Sequence, residues 1–136
     1  MHDERITEWL RSLLAKHGAV AGTVHVVRGE LLAITAAINI PPKVQEVTAS
    51  IPIGKGMAGL AWQQDRPIQT CNLQDDKGGE VRPGAKAVDA RAAVALPVHD
   101  AAGAIRAVVG LAWMEERVLP DDVIAALRVD AAGLPA

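Results

Sequence analysis

Residues 51–76 read IPIGKGMAGLAWQQDRPIQTCNLQDD, and the fold depends on what the glycines in this stretch are for. Gly54-Lys55-Gly56-Met57-Ala58-Gly59 has the G-x-G-x-x-G spacing that brings backbone N–H groups at a helix N-terminus to a pyrophosphate. Asp75 follows at roughly the 20-residue distance of a ribose-binding carboxylate. The context argues against that reading. A dinucleotide fold needs a strong buried strand directly before the glycines, and Pro52 in the approach cannot sit in a central strand. The helix that follows is stopped at Asp65-Arg66-Pro67. Each glycine instead solves a local problem. Gly54 and Gly56 allow a positive φ on the way into a helix, and Gly59 lets the first helical turn lie close to a sheet. Met57, Leu60 and Ala61 then make a narrow apolar stripe at helical spacing, with Trp62 at its edge. Residues 67–73 alternate as a strand.

This order of features resembles the middle of a GAF domain. The family pattern of an Ile-x-x-Gly-x-Gly-x-x-Gly run, a short helix, a Pro-hydrophobic strand and an acidic pair stands here as Ile51, Gly54, Gly56, Gly59, Pro67-Ile68 and Asp75-Asp76. A second family mark is a strand ending in Leu-Pro-Val, then a turn and a Gly-containing strand. It stands here as Ala95-Leu96-Pro97-Val98, Asp100 to Gly103 and Val108-Val109-Gly110-Leu111. Together the marks span residues 51–114, and the flanking elements extend the resemblance to nearly the whole chain. It implies an α+β fold with a central, mostly antiparallel sheet of five or six strands in the order 2-1-5-4-3. Terminal helices pack on one face, and short helices and a long loop lie on the other.

Composition sets the remaining bounds. A chain of 136 residues is expected to be one domain, residues 1–136. Half of it is hydrophobic, yet Phe and Tyr are absent and Trp9, Trp62 and Trp113 are the only aromatic residues. The core must be built from Val, Ile, Leu and many Ala, whose small side chains let elements approach closely but bring less apolar area. A net charge of −2 with mixed signs gives no nucleic-acid footprint. No apolar run approaches a membrane span, and the first residues do not read as a signal peptide. The single cysteine, Cys71, excludes an internal disulfide and is compatible with the expected cytoplasmic location.

Along the chain, Asp3 to His17 reads as an amphipathic helix. Ile6, Trp9, Leu10, Leu13 and Leu14 fall at helical spacing, with Asp3 as N-cap and Gly18 as stop. Ala19–Val27 and Leu31–Ile40 read as a hairpin. In its second strand Leu32, Ile34, Ala36, Ile38 and Ile40 share one face. Pro42 opens a short helix with Val44, Val47 and Thr48 facing inward. Residues 74–90 form a long irregular stretch, which in the GAF family usually covers the ligand pocket. Arg91–Val98 and Ala104–Met114 form a second hairpin. Pro120-Asp121-Asp122 opens a last helix with Val123, Ile124, Leu127 and Ala131 as its buried stripe. No linker, repeat or low-complexity tail is visible, so no attached output domain is expected.

The candidate chemistry is weighed residue by residue. Cys71 reads as a buried small hydrophobe without an assured neighbouring cation. Free methionine-R-sulfoxide reductases, an enzymatic family with a GAF-like fold, use cysteines just after the glycine turn and in the loop before the Leu-Pro strand. Here those regions are Met57-Ala58-Gly59 and residues 86–91, and neither holds a cysteine. His2, His17, His25 and His99 show no metal-ligand spacing, and His25 reads as a satisfied strand histidine in preference to a haem ligand. Ser12 and Ser50 lack a nucleophile elbow, and nothing places an opposite carboxylate for Asp75 or Asp76. No catalytic or metal-binding residue is assigned, and no cofactor is identified.

What remains is a binding site without catalysis. Element placement and charge put its wall under Met57, Leu60 and Trp62 and its rim at Arg82, Lys86, Asp89 and Arg91. The expected function is a non-enzymatic, small-molecule-binding or sensory GAF-type domain, forming a homodimer through its terminal helices. The ligand expected is mainly apolar or zwitterionic. The alternatives are a reductase with relocated thiol chemistry and a ligand-free dimerisation module.

Overall fold

The computed structural model describes residues 2–70 and 91–135. Cys71 and the stretch 74–90 lie outside the described residues. Among the described residues ten elements follow one another: α1 (Glu4–His17), β1 (Ala21–Arg28), β2 (Leu31–Ile38), α2 (Pro42–Val47), β3 (Ser50–Pro52), α3 (Gly56–Gln64), β4 (Ile68–Thr70), β5 (Ala92–His99), β6 (Ile105–Trp113) and α4 (Asp121–Ala131). The strands form one antiparallel sheet in the order β3-β2-β1-β6-β5-β4. Without the short β3 this is the expected five-strand order. β3 is the outermost strand beside β2, which is where Pro52 costs no ladder hydrogen bond.

One face of the sheet is covered by the two terminal helices. Ile6, Leu10, Leu13 and Leu14 of α1 and Leu127 and Ala131 of α4 pack on Val94, Leu96, Val109, Leu111 and Trp113. The amphipathic spacing of α1 is spent on this contact, so the stripe that suggested a dimer seam is buried within the chain. Caps fix the ends of α1: Asp3 Oδ1 accepts from the Arg5 and Ile6 N–H groups, and Gly18 ends the helix at φ +67°. Trp113 is anchored by donating its Nε1–H to the His17 carbonyl at 3.0 Å, so its one polar atom is satisfied in the core. On α4, Val123 is exposed instead of buried, and only Ile124, Leu127 and Ala131 of the expected stripe turn inward.

The other face carries α2 and α3. Met57, Ala58, Leu60, Ala61 and Trp62 pack over Leu32, Ile51, Ile68, Ala95 and Val108. Val44 is buried on α2, but Val47 is exposed, contrary to the inward stripe expected there.

The expected continuous face on β2 is also corrected. Val24 pairs with Ala36 and His25 with Ile34, so Thr35 is an extra residue in β2. A bulge of this kind reverses the alternation beyond it. Leu32 therefore packs under α3 while Ala36 and Ile38 pack under α1. The Thr35 carbonyl accepts from the Asp3 N–H at 2.8 Å, which ties the bulge to the start of α1.

Candidate functional site

The glycine stretch is a tight turn into α3. Gly54 and Gly56 have φ of +82° and +64°, the left-handed region where a Cβ is strained. The Gly54 N–H donates to the Gly59 carbonyl at 2.9 Å, and a Cβ on Gly59 would lie 2.7 Å from the Pro52 carbonyl oxygen. The three glycines thus fold residues 52–59 back on themselves and hold the first turn of α3 against β3.

This turn is one wall of a cavity of about 150 Å³ between the sheet and the α2–α3 layer. The cavity exists because side chains on this face are small. Along β5 and β6, Val94, Leu96, Val109, Leu111 and Trp113 point to the terminal helices. Their neighbours Ala93, Ala95, Gly110 and Ala112 lie on the opposite face and floor the cavity with Ala21 and Thr23 of β1. Gly110 opposes Thr23 across β1 and β6, and a Cβ there would come 2.9 Å from Thr23 Oγ1. The remaining walls include Val44 and Thr48 at α2, Ile51 of β3, and Lys55, Met57 and Ala58 at the start of α3. The lining is almost wholly apolar.

The exception in depth is His25 of β1, which is only 3% exposed. Its Nε2 lies 2.8 Å from the Thr48 carbonyl oxygen. A carbonyl can only accept, so Nε2 carries the proton and Nδ1 is a bare acceptor. Nδ1 is buried and has no hydrogen-bond partner among the described residues. Burial pushes the His25 pKa below the ordinary histidine value, outweighing the opposing pull of the Thr48 carbonyl. The expectation of a satisfied strand histidine is thus met at one nitrogen and not at the other.

The residues assigned to the site from sequence are distributed differently. Met57 lines the cavity. Leu60 and Trp62 pack on the same side of the sheet, over Leu32, Ile51 and Ile68. Trp62 also faces a surface hollow with Leu31, Pro52 and Ile53. Arg91 is exposed, 3.9 Å from Glu116, and lies outside the cavity lining. Arg82, Lys86 and Asp89 lie outside the described residues. Sequence reading left three features out of the site: His25, read as a satisfied strand histidine, Thr48, read only as facing inward, and the small-residue floor. A signal for the floor was present: β5 and β6 alternate bulky with Ala or Gly, and the small side chains leave room where close packing was expected.

Among the described residues no group of three or more His, Cys, Asp or Glu side chains could hold a metal ion. No helix among them is long and apolar enough to cross a membrane. Two histidines outside the cavity pair with carboxylates: His99 with Asp65 and His17 with Asp130, each at 2.7 Å.

A sequence profile described as GAF domain matches residues 4–132. The chain belongs to the GAF domain family. None of the curated proteins compared matches it. Among solved structures, this GAF domain is similar to the type II free methionine-R-sulfoxide reductase of Thermoplasma acidophilum. The TM-score is 0.77 at 14% identity, over 96% of this chain and 89% of that one. It is similar to a GAF domain region of a putative membrane protein of Geobacter sulfurreducens, with TM-score 0.76 at 10% identity over 96% and 87% of the two chains. It also resembles the GAF domain of the Acinetobacter phosphoenolpyruvate-protein phosphotransferase, with TM-score 0.72 at 10% identity over 94% and 75%. At these identities the likeness is one of fold, shared by an enzyme and by domains of other proteins.

Proposed function

We propose that this chain is a non-enzymatic, small-molecule-binding GAF domain of the sensory type, with its ligand held in the cavity between the sheet and α2–α3. The observation that carries this reading is the cavity of about 150 Å³, floored by Ala and Gly on the same strands that present bulky residues to the terminal helices. Close packing is the norm in protein interiors, and a concave apolar site with few polar groups is the usual form of a ligand pocket. It favours ligand binding over an interaction module whose pocket has filled with side chains. Against the reductase reading, Met57-Ala58-Gly59 and residues 86–91 hold no cysteine where those enzymes use them.

The test is a thermal-shift screen of compact apolar molecules on the parent protein and on Ala112→Leu, whose added side chain occupies the cavity. A ligand that binds only the folded state raises stability in proportion to the logarithm of its saturation. Hits that stabilise the parent and not the variant support the proposal. Turnover of free methionine sulfoxide with a thiol reductant, lost on blocking Cys71, would replace it with the enzymatic reading.

Homodimerisation is part of the same proposal. With the α1 stripe buried, its support is Val123 and Val129, which leave α4 with exposed apolar side chains. Light scattering of a Val129→Glu variant beside the parent checks it. A parent that is monomeric at high concentration removes it.

A further inference from the structure

We infer that the Thr23 hydroxyl is the polar anchor of the cavity, and that it selects a small apolar ligand whose one uncharged hydroxyl or carbonyl oxygen reaches the floor between β1 and β6. The inference rests on the cavity being a ligand site and names the class of molecule and the residue that recognises it.

Thr23 lies on an interior strand, opposite Ala37 of β2 and Gly110 of β6. Its neighbour Val24 packs under the terminal helices, so the alternation of β1 turns Thr23 to the cavity. There it shares the floor with Ala93, Ala95, Gly110 and Ala112. A Cβ on Gly110 would come 2.9 Å from Thr23 Oγ1. The oxygen therefore leans from β1 over Gly110, and the missing side chain leaves room for it. A β-branched residue holds that direction, since few χ1 angles are open to it.

The other polar side chains of the lining are committed elsewhere. His25 Nε2 donates to the Thr48 carbonyl at 2.8 Å, and its Nδ1 is sealed from solvent. Thr48 Oγ1 donates to the Val44 carbonyl at 2.7 Å. Lys55 is exposed, so its charge does not stand on the floor. Thr23 Oγ1 has no hydrogen-bond partner among the described residues, and unlike His25 Nδ1 it can be touched by a water-sized molecule. The cavity is partly open, so water can reach this hydroxyl. A ligand that covers the floor displaces such water and loses affinity unless it offers a hydrogen bond in exchange. A threonine hydroxyl both donates and accepts, so an alcohol, a phenol or a ketone meets it. A charged group there would be buried among Ala and Gly with no counter-charge, at a cost above what one hydrogen bond returns. Of the apolar and zwitterionic classes expected from sequence, this favours the apolar one.

Phenol and toluene have nearly the same shape and differ in one hydroxyl. Thr23→Val likewise exchanges the anchor hydroxyl for a methyl of similar size. Calorimetric titration of both compounds into parent and variant closes a cycle that isolates the hydrogen bond between them. On Thr23→Val, phenol is expected to lose about five- to tenfold in affinity relative to toluene. Thr23→Ser keeps the hydroxyl and is expected to keep the parent's ratio. Thr23→Ala removes the oxygen without putting a methyl in its place, and gives a second reading of the same loss should the valine variant fold poorly. If the ratio of the two affinities is the same in the parent and in the variants without the hydroxyl, Thr23 is not the anchor while the cavity remains a binding site. If neither compound binds the parent, the cavity is not a ligand site and the inference falls with it.

Discussion

Nε2 of His25 on β1 lies 2.8 Å from the carbonyl oxygen of Thr48, the residue that ends α2. This contact joins the floor of the cavity to its wall. It also places the proton on Nε2 and makes the other nitrogen an acceptor, while burial keeps the ring neutral.

The first consequence is a dependence of stability on pH. Burial holds the folded-state pKa of His25 below the ordinary histidine value of 6.5. On acidification the unfolded chain therefore binds the proton first, and stability falls as pH drops below that value until the folded pKa is reached. Lys55, on the same cavity, has the charge that a protonated ring would repel. For one proton the slope within the window is at most about 1.4 kcal/mol per pH unit. Denaturant midpoints of the parent and His25→Asn, compared between about pH 7.5 and pH 5.5, isolate the term. The parent should lose stability faster than the variant on acidification.

Gly56→Val should destabilise the fold by about 1–3 kcal/mol, because a β-branched residue is strained at a φ of +64°. Gly59→Ala should also destabilise, through a clash with the Pro52 carbonyl that the backbone must move to relieve. Urea unfolding of both variants measures this. A midpoint equal to the parent's in either would remove the account of that glycine.

The glycine turn, the hairpins and both terminal helices were legible because each is written locally, in left-handed positions, caps and helical spacing. Asp3, Gly18 and Pro52 say where elements start, stop or become an edge. The Thr35 bulge was not legible. Its carbonyl is met by a tertiary bond from the Asp3 N–H, which nothing local in the sequence announces, and without the bulge Leu32 and Ala36 look like members of one face. Val47 and Val123 were misplaced for a related reason. A β-branched residue beside a buried one fits the helical stripe equally well, and only the angle of the helix on the sheet decides which turns inward. The cavity was half legible. Met57 came from the turn, whereas Ala93, Ala112 and Gly110 looked like close-packing residues until a second layer failed to descend onto them.

Asp130 joins the ends of the terminal helices, accepting from Lys16 Nζ at 3.1 Å and standing 2.7 Å from His17 Nε2. These two partners hold its carboxyl below the usual aspartate range. A depressed carboxyl pKa adds stability above the unfolded value, and that stability is lost as pH falls through the folded value. Asp130→Asn should therefore melt below the parent near neutral pH. Melting curves taken down a series of acidic buffers should show the gap closing. A constant gap would mean that the loss comes from packing and not from the charge.

Ala112→Leu should be neutral or stabilising, by up to about 2 kcal/mol, since it fills space that is otherwise empty. A loss of more than about 3 kcal/mol would exceed ordinary overpacking and would mean that the cavity has no room for a leucine. Differential scanning calorimetry of parent and variant decides between these outcomes.

The central claim is that a small molecule binds between the Ala/Gly floor of the sheet and the α2–α3 layer. Amide chemical-shift mapping during a toluene titration tests it most directly. Saturable shifts are expected at Thr23, Thr48, Met57, Ala93 and Ala112, with Val129 on the far side of the sheet unmoved. Shifts that do not saturate, or that centre on Leu31, Ile53 and Trp62, would contradict it.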